Sequence, residues 1–188
     1  MLGAVESADS VENRLTHHDL EQTPDDGCRW EVIDGVLHVT PFATYAHENA
    51  SGELFAMLHT HAREHSLGKV FSARLKVVLD EPTGVGPDVL YVSTARMTAM
   101  HADGFYGAPD LTVEVLSSKP YLDLEVKFRK YASAGIPHYW VVDPVNKSLT
   151  AYRLDGGQYV VEAELQGDAT FEPELFPGLV IPLARLWV

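Results

Sequence analysis

Two carboxylates and one amine stand in this chain where a folded domain should resist them. Glu114 sits at the centre of Leu111-Thr112-Val113-Glu114-Val115, a run with the two-residue alternation of a β-strand, bracketed by valines. Asp88 opens a second β-rich run, Asp88-Val89-Leu90-Tyr91-Val92-Ser93, just after the glycine-rich Thr83-Gly84-Val85-Gly86-Pro87. Lys127 lies on the border of an apolar stripe, Leu124, Phe128, Tyr131 and Ala132, at helical spacing. An unpaired carboxylate in an apolar setting costs several kcal/mol, so Glu114 must reach solvent, pair with a base or share a divalent cation with a second acid. Asp88, at the mouth of a neighbouring strand, is suited to that sharing, because Mg²⁺ takes a few carboxylate oxygens and keeps several waters. Two acids and a lysine are a set for phosphoester hydrolysis, in which the acids hold the ion and the amine steadies charge on phosphorus. Taken alone, Lys127 reads more simply as a lysine whose stem covers apolar surface while its amine stays in water.

These side chains need strands and a helix to carry them, and the sequence supplies one α/β arrangement. Residues 1–14 lack periodicity and are expected to form a disordered tail ahead of a single domain over 15–188. Thr16 caps a short helix that stops before Pro24. Two β-rich runs flank Asp34-Gly35, a pair fitted to the positive φ angles of a tight hairpin turn, so an N-terminal hairpin is expected. Ala50, Leu54, Met57, Leu58 and His61 recur at helical spacing over 45–66, with Gly68 as the stop. One or two strands follow over 69–82, then a loop through Gly84 and Gly86, the Asp88 strand, and irregular chain with a short helical turn over 94–109. After the Glu114 strand comes a helix over 121–134 stopped by Gly135 and Pro137, then the strand His138–Asp143 and a hairpin about Asp155-Gly156-Gly157. The segment through Pro177 and Pro182 reads as loop.

The 188 residues carry a formal net charge of −13, which disfavours loose, charge-driven binding to nucleic acid. Residues 1–34 hold nine acids against two bases, whereas Lys119, Lys127, Arg129 and Lys130 gather near Asp123 and Glu125, a pattern that usually marks a solvated helix face. No apolar run reaches the roughly 20 residues of a membrane span, and no secretory signal pattern opens the chain. A lone cysteine, Cys28, fits a reducing, cytoplasmic setting. His61 and His65 lie four apart on a helix, but no third zinc ligand stands near them. Ser117 and Ser118 suit backbone bonding in a strand-to-helix loop better than nucleophilic attack, and Tyr139 and Trp140 belong to a packed sheet.

The order Arg29-Trp30-Glu31-Val32-Ile33-Asp34-Gly35, Ala46-His47-Glu48-Asn49, Gly86-Pro87-Asp88 and the long block Pro109–Pro144 resembles the Uma2 family, also called DUF820. These bacterial proteins are similar to the PD-(D/E)XK nuclease superfamily. The resemblance implies an α/β fold with a restriction-endonuclease-like core, a mixed central β-sheet flanked by helices. It matches Asp88 and Glu114 to the two acids of the motif. The superfamily's lysine usually stands two residues after the second acid, where this chain has Leu116; in Uma2-like sequences it lies on the following helix, at Lys127 here. Glu31 matches a further acid for metal or water, although its alternation with Trp30 and Val32 also fits an exposed strand acid. His47 matches a family histidine, although it also sits on the stripe of Ala50 and Leu54 as a core residue would. Asp123, one turn before Lys127, would orient that amine or simply pair with it. The resemblance thus implies a DNA endonuclease using Mg²⁺ or Mn²⁺, held by Asp88, Glu114 and Glu31, with a homodimer as the family-level assembly. The rival expectations are an inert nuclease-fold binding or regulatory protein, and a hydrolase of RNA or small phosphoesters.

Overall fold

The computed structural model describes residues 14–72, 75–117 and 119–188. The expected tail over 1–14 falls outside them except for Arg14, as does Ser118. The chain opens with a 3₁₀ turn, His17–Gln22, fixed at its start by Asp19, whose carboxylate accepts from the Thr16 N–H (2.7 Å) and hydroxyl (3.1 Å). Strands β1, Arg29–Ile33, and β2, Val36–Thr40, form the expected hairpin, with Asp34 at φ 50° and Gly35 at φ 82°.

Helix α1, Tyr45–Glu64, buries Ala50, Leu54, Leu58, His61 and Ala62 on one stripe. Its end differs from expectation: Ser66 takes the left-handed turn (φ 56°), and Gly68 opens the next strand. Glycine is needed there for another reason, since a Cβ would lie 2.2 Å from the Val92 carbonyl oxygen. Then come β3 (Gly68–Ser72), β4 (Val77–Asp80), β5 (Thr83–Val85), β6 (Val89–Ser93), β7 (Met100–His101), β8 (Gly104–Tyr106) and β9 (Leu111–Val115). The expected loop at Gly84 is therefore strand β5, where the missing side chain makes room for His17 and Leu20, and residues 94–109 hold a 3₁₀ turn and two short strands. The second helix starts as a π-helical stretch, Leu122–Lys127, and continues as α2, Phe128–Ser133. Strands β10 (His138–Asp143), β11 (Ser148–Asp155), β12 (Gln158–Gln166), β13 (Thr170–Phe171) and β14 (Ile181–Pro182) complete the order.

Among the described residues these strands form two six-stranded sheets and a separate β13–β14 pair. The central one runs β12-β11-β10-β9-β6-β3 and is mixed, β9 and β10 being parallel; the other runs β2-β1-β5-β4-β8-β7. Strand alternation sorts the core. Leu111, Val113, Val115, Trp140 and Val142 face α1 and the C-terminal residues Phe171, Phe176, Ile181 and Leu183. Leu90, Val92, Tyr139 and Val141 face the other way, onto α2 and onto Ile33, Val77, Val85 and Phe105 of the second sheet. The C-terminal segment, mostly loop between β13 and β14 as expected, packs as a wall of the core. No described helix is long and apolar enough to cross a membrane.

Candidate active site

All five residues of β9 are buried, so Glu114 does point into a dry interior, on the face toward α2 and the second sheet. The antiparallel register of β6 and β9 explains its partner. Val89 pairs with Val113 and Leu90 with Thr112, so one step further places Asp88 opposite Glu114. Opposed residues of an antiparallel pair project to the same face. Asp88 and Glu114 are 1% and 0% exposed.

The second sheet and the second helix bring the rest. Along β1, side chains two apart share a face, so Arg29 and Glu31 reach the same gap. Glu31 accepts from the Gly86 N–H (2.9 Å) and lies 3.0 Å from Lys127 Nζ. Lys127 Nζ is also 3.1 Å from Glu114 Oε1 and 3.4 Å from Asp123 Oδ1. His47, on the first turn of α1, sets Nε2 3.2 Å from Asp88 Oδ2. The five residues singled out by sequence, Asp88, Glu114, Lys127, Glu31 and His47, therefore meet in one buried cluster. Glu31 and His47 are both buried, so the exposed-strand alternative for Glu31 does not hold.

The helix face differs from the expected stripe. Leu122, Asp123, Lys127, Lys130 and Tyr131 point inward, while Leu124 is exposed. The π-helical register inserts extra chain per turn, which rotates the first half of the helix and carries Lys127 from the stripe's border into the core. The basic group expected as a solvated face is likewise split. Lys127 and Lys130 are buried in ion pairs, and the Lys119 amine donates to the Val39 carbonyl (2.9 Å).

Arg29 and Tyr131 were not anticipated. The Tyr131 hydroxyl donates to Glu114 Oε1 (2.7 Å), and the Arg29 guanidinium bonds Asp88 through Nη2 while Nη1 stands 3.5 Å from Glu114 Oε2. The available signal was spacing: Arg29 is two residues before Glu31, and Tyr131 four after Lys127.

Electrostatics follow from this packing. Burial would raise Asp88, but the His47 hydrogen bond, the Arg29 charge and the Val115 N–H (2.8 Å) hold it at about 2. Glu114 goes the other way. Burial, reinforced by Asp123, Asp88 and Glu31 and opposed by Lys127, lifts it to about 8. Burial also raises Asp123, against the pull of Lys127. Lys127 would lose its proton to burial, but Glu114, Glu31 and Asp123 hold it on, above the usual lysine range.

Arg29, Glu31, His47, Asp123 and Lys127 line an open cleft of about 710 Å³, with Trp30, Phe42, Glu48 and Ser117 among its walls, while Asp88 and Glu114 are buried and do not line it. The cluster's oxygens suit a hard divalent cation. Glu114 Oε2 is buried and receives no hydrogen bond from the described residues, which is the kind of lone oxygen such an ion satisfies. A separate group, His17, His18 and Glu81, brings one ligand atom from each residue within 4.8 Å of the others, and Asp88, Glu114 and Glu31 form no such set among the described residues. His61 and His65 stack on one another, ring centroids 4.1 Å apart, and belong to no such group among the described residues.

A mixed sheet flanked by helices, with buried acids brought together from adjacent strands beside a cleft, is an α/β arrangement shared with nuclease folds. The chain belongs to the Uma2 family, described as "Putative restriction endonuclease", whose profile matches residues 17–184. The fold is that of a crystal structure of a "putative nuclease belonging to DUF820" from Anabaena variabilis ATCC 29413, with a TM-score of 0.72. That structure is 18% identical, and the match covers 92% of this chain and 97% of the other. No curated protein matches significantly.

Proposed function

We propose that residues 15–188 act as one domain that hydrolyses DNA phosphodiester bonds with a divalent cation, Mg²⁺ or Mn²⁺, in the cytoplasm, where the lone Cys28 stays reduced. The observation that carries this reading is the opposition of Asp88 and Glu114 across β6 and β9, with Lys127, which lines the open cleft, placing its Nζ 3.1 Å from Glu114. Asp88 and Glu114 hold the ion, with Glu31 near enough through Lys127 to contribute. When bound, the ion supplies Lewis-acid stabilisation of phosphoryl charge and acidifies water. Lys127, kept charged by three acids, offers its amine to the oxygens of the phosphate. His47 and the Val115 N–H fix the Asp88 carboxylate, and Tyr131 fixes Glu114, so that neither acid turns away during the reaction. Two copies acting together would cut both strands of a duplex.

A second reading is favoured by the Arg29 guanidinium between the acids and by the acidic residues Glu21, Asp25, Glu48 and Asp103 along the cleft. Under it, the fold is retained for binding or regulation without turnover. Plasmid nicking with Mn²⁺, measured beside a thermal melt with and without the ion, separates the two. Cleavage that falls at least a thousandfold in Asp88→Ala and Glu114→Ala, with an ion-induced rise in melting temperature lost in the same variants, supports hydrolysis. Cleavage retained in the double variant would end the assignment. Substituting a single-stranded RNA for the plasmid tests the RNA alternative in the same assay.

A further inference from the structure

Each acid of the pair has one oxygen committed to the scaffold and one left over. Asp88 Oδ2 accepts from the Val115 N–H and faces His47, while Glu114 Oε1 accepts from Tyr131 and faces Lys127. The remaining oxygens, Asp88 Oδ1 and Glu114 Oε2, are the two that Arg29 spans. We infer that Arg29 is an internal counter-ion for this gap, displaced when a divalent cation enters, and that its displaced guanidinium takes a phosphate of the bound nucleic acid. The inference rests on the metal-dependent reading above.

Three features support displacement over permanent pairing. The Arg29 side chain is 26% exposed whereas those of Asp88 and Glu114 are 1%, so it enters from the cleft and has solvent to retreat into. It starts from the first residue of β1, at the open end of the hairpin beside Thr40. It also cannot leave by losing its proton, because a guanidinium stays charged at any working pH. Once an ion takes its two oxygens, the guanidinium needs another anion, and its planar fork matches a phosphate in two-point contact. Ion and phosphate therefore each make room or partner for the other, which is positive coupling between two ligands.

Mn²⁺ titration of the full chain, read by electron paramagnetic resonance of the free ion, tests this without turnover. Thymidine 3′,5′-bisphosphate serves as the phosphate probe, since it has no internucleotide bond to cut. The parent should bind Mn²⁺ weakly alone and about tenfold more tightly with the bisphosphate. Arg29→Met should bind Mn²⁺ at least tenfold more tightly than the parent and gain nothing from the bisphosphate. Arg29→Lys keeps the charge without the fork; it guards against misfolding of the Met variant, and an Mn²⁺ affinity between the two supports the inference. Equal or weaker Mn²⁺ binding in both Arg29 variants, or no gain from the bisphosphate in the parent, overturns it. Asp88→Asn/Glu114→Gln separates the two failures. If that variant loses Mn²⁺ while parent and Arg29→Met bind alike, the inference on Arg29 alone falls. If it binds as the parent does, or if neither the parent nor Arg29→Met binds the ion, the metal reading falls with it.

Discussion

Lys127 and Lys130 lie three residues apart on one helix, both buried, and each is surrounded by acids, yet the two clusters are built on opposite plans. Lys130 reaches outward to Asp34 in the hairpin turn (2.5 Å) and to Asp80 at the end of β4 (2.6 Å). Those two acids are 66% and 48% exposed, so water carries the surplus negative charge. Lys127 reaches inward to Glu31, Glu114 and Asp123, with Asp88 beyond, and these acids are at most 8% exposed. There, four carboxylates face only two permanent cations, Lys127 and Arg29, and the acids themselves are buried. One cluster is complete as a clamp between helix and sheet. The other relies on a proton held on Glu114 to relieve its surplus charge, and a divalent cation is a direct replacement for that proton.

The largest expected effect breaks the comparison at its centre. Lys127→Met strands three acids in the dry interior and should cost about 3–5 kcal/mol in urea unfolding with EDTA at neutral pH, because an uncompensated buried charge is left behind. Lys130→Met frees acids that are already half solvated and should cost about 1–2 kcal/mol. Equal costs for the two would mean that the clusters do not differ in the way their exposure indicates.

A smaller effect sharpens the comparison through pH. A carboxyl whose value is raised by folding keeps a proton that the unfolded chain gives up. Its contribution is therefore full at low pH and disappears as pH rises through the folded value. For Glu114 the window runs from about 4.5 to about 8, so stability in EDTA should decline across it by an amount on the order of a few kcal/mol. Asp88 has the opposite sign, stabilising above 3.8 and losing that contribution as pH falls toward about 2, outside the Glu114 window. Glu114→Gln mimics the protonated acid and should flatten the decline between pH 5 and 8, as read by denaturant midpoints. A decline of undiminished steepness in that variant would place the titrating group elsewhere.

Much of this arrangement was legible from residue order. The Asp34-Gly35 hairpin, α1 and the buried Glu114 strand follow from turn chemistry and from two-residue and helical periods, which local sterics enforce. Asp88 and Lys127 could be singled out as chemistry, but how they meet could not be read. Their meeting depends on the β6–β9 register and on a π-helical stretch that 3.6-residue counting cannot anticipate. Arg29 was hidden for a different reason. A charged residue at the start of a strand ordinarily faces water, and only the packing of the second sheet turns it toward Asp88. The C-terminal segment could be read as loop but not as part of the core, since Phe171, Phe176 and Leu183 pack individually, without any period, onto α1 and the central sheet.

The smallest expected effect concerns the phenol in the inward cluster. Tyr131, fully buried, donates to the same Glu114 oxygen that faces Lys127. Tyr131→Phe keeps the ring and removes only the hydroxyl, so the fold should lose about 1 kcal/mol, the ordinary worth of such a bond. Its effect on Glu114 is more telling. A donor favours the ionised carboxylate, so removing it should raise the Glu114 value further and move the acid limb of the cleavage pH profile upward by about half a unit. A hydroxyl that served packing alone would change stability and leave that limb in place. Lys130→Met, whose amine pairs with Asp34 and Asp80 rather than with Glu114, should also leave it in place, and a shared shift in both variants would mean that the two lysine clusters act as one.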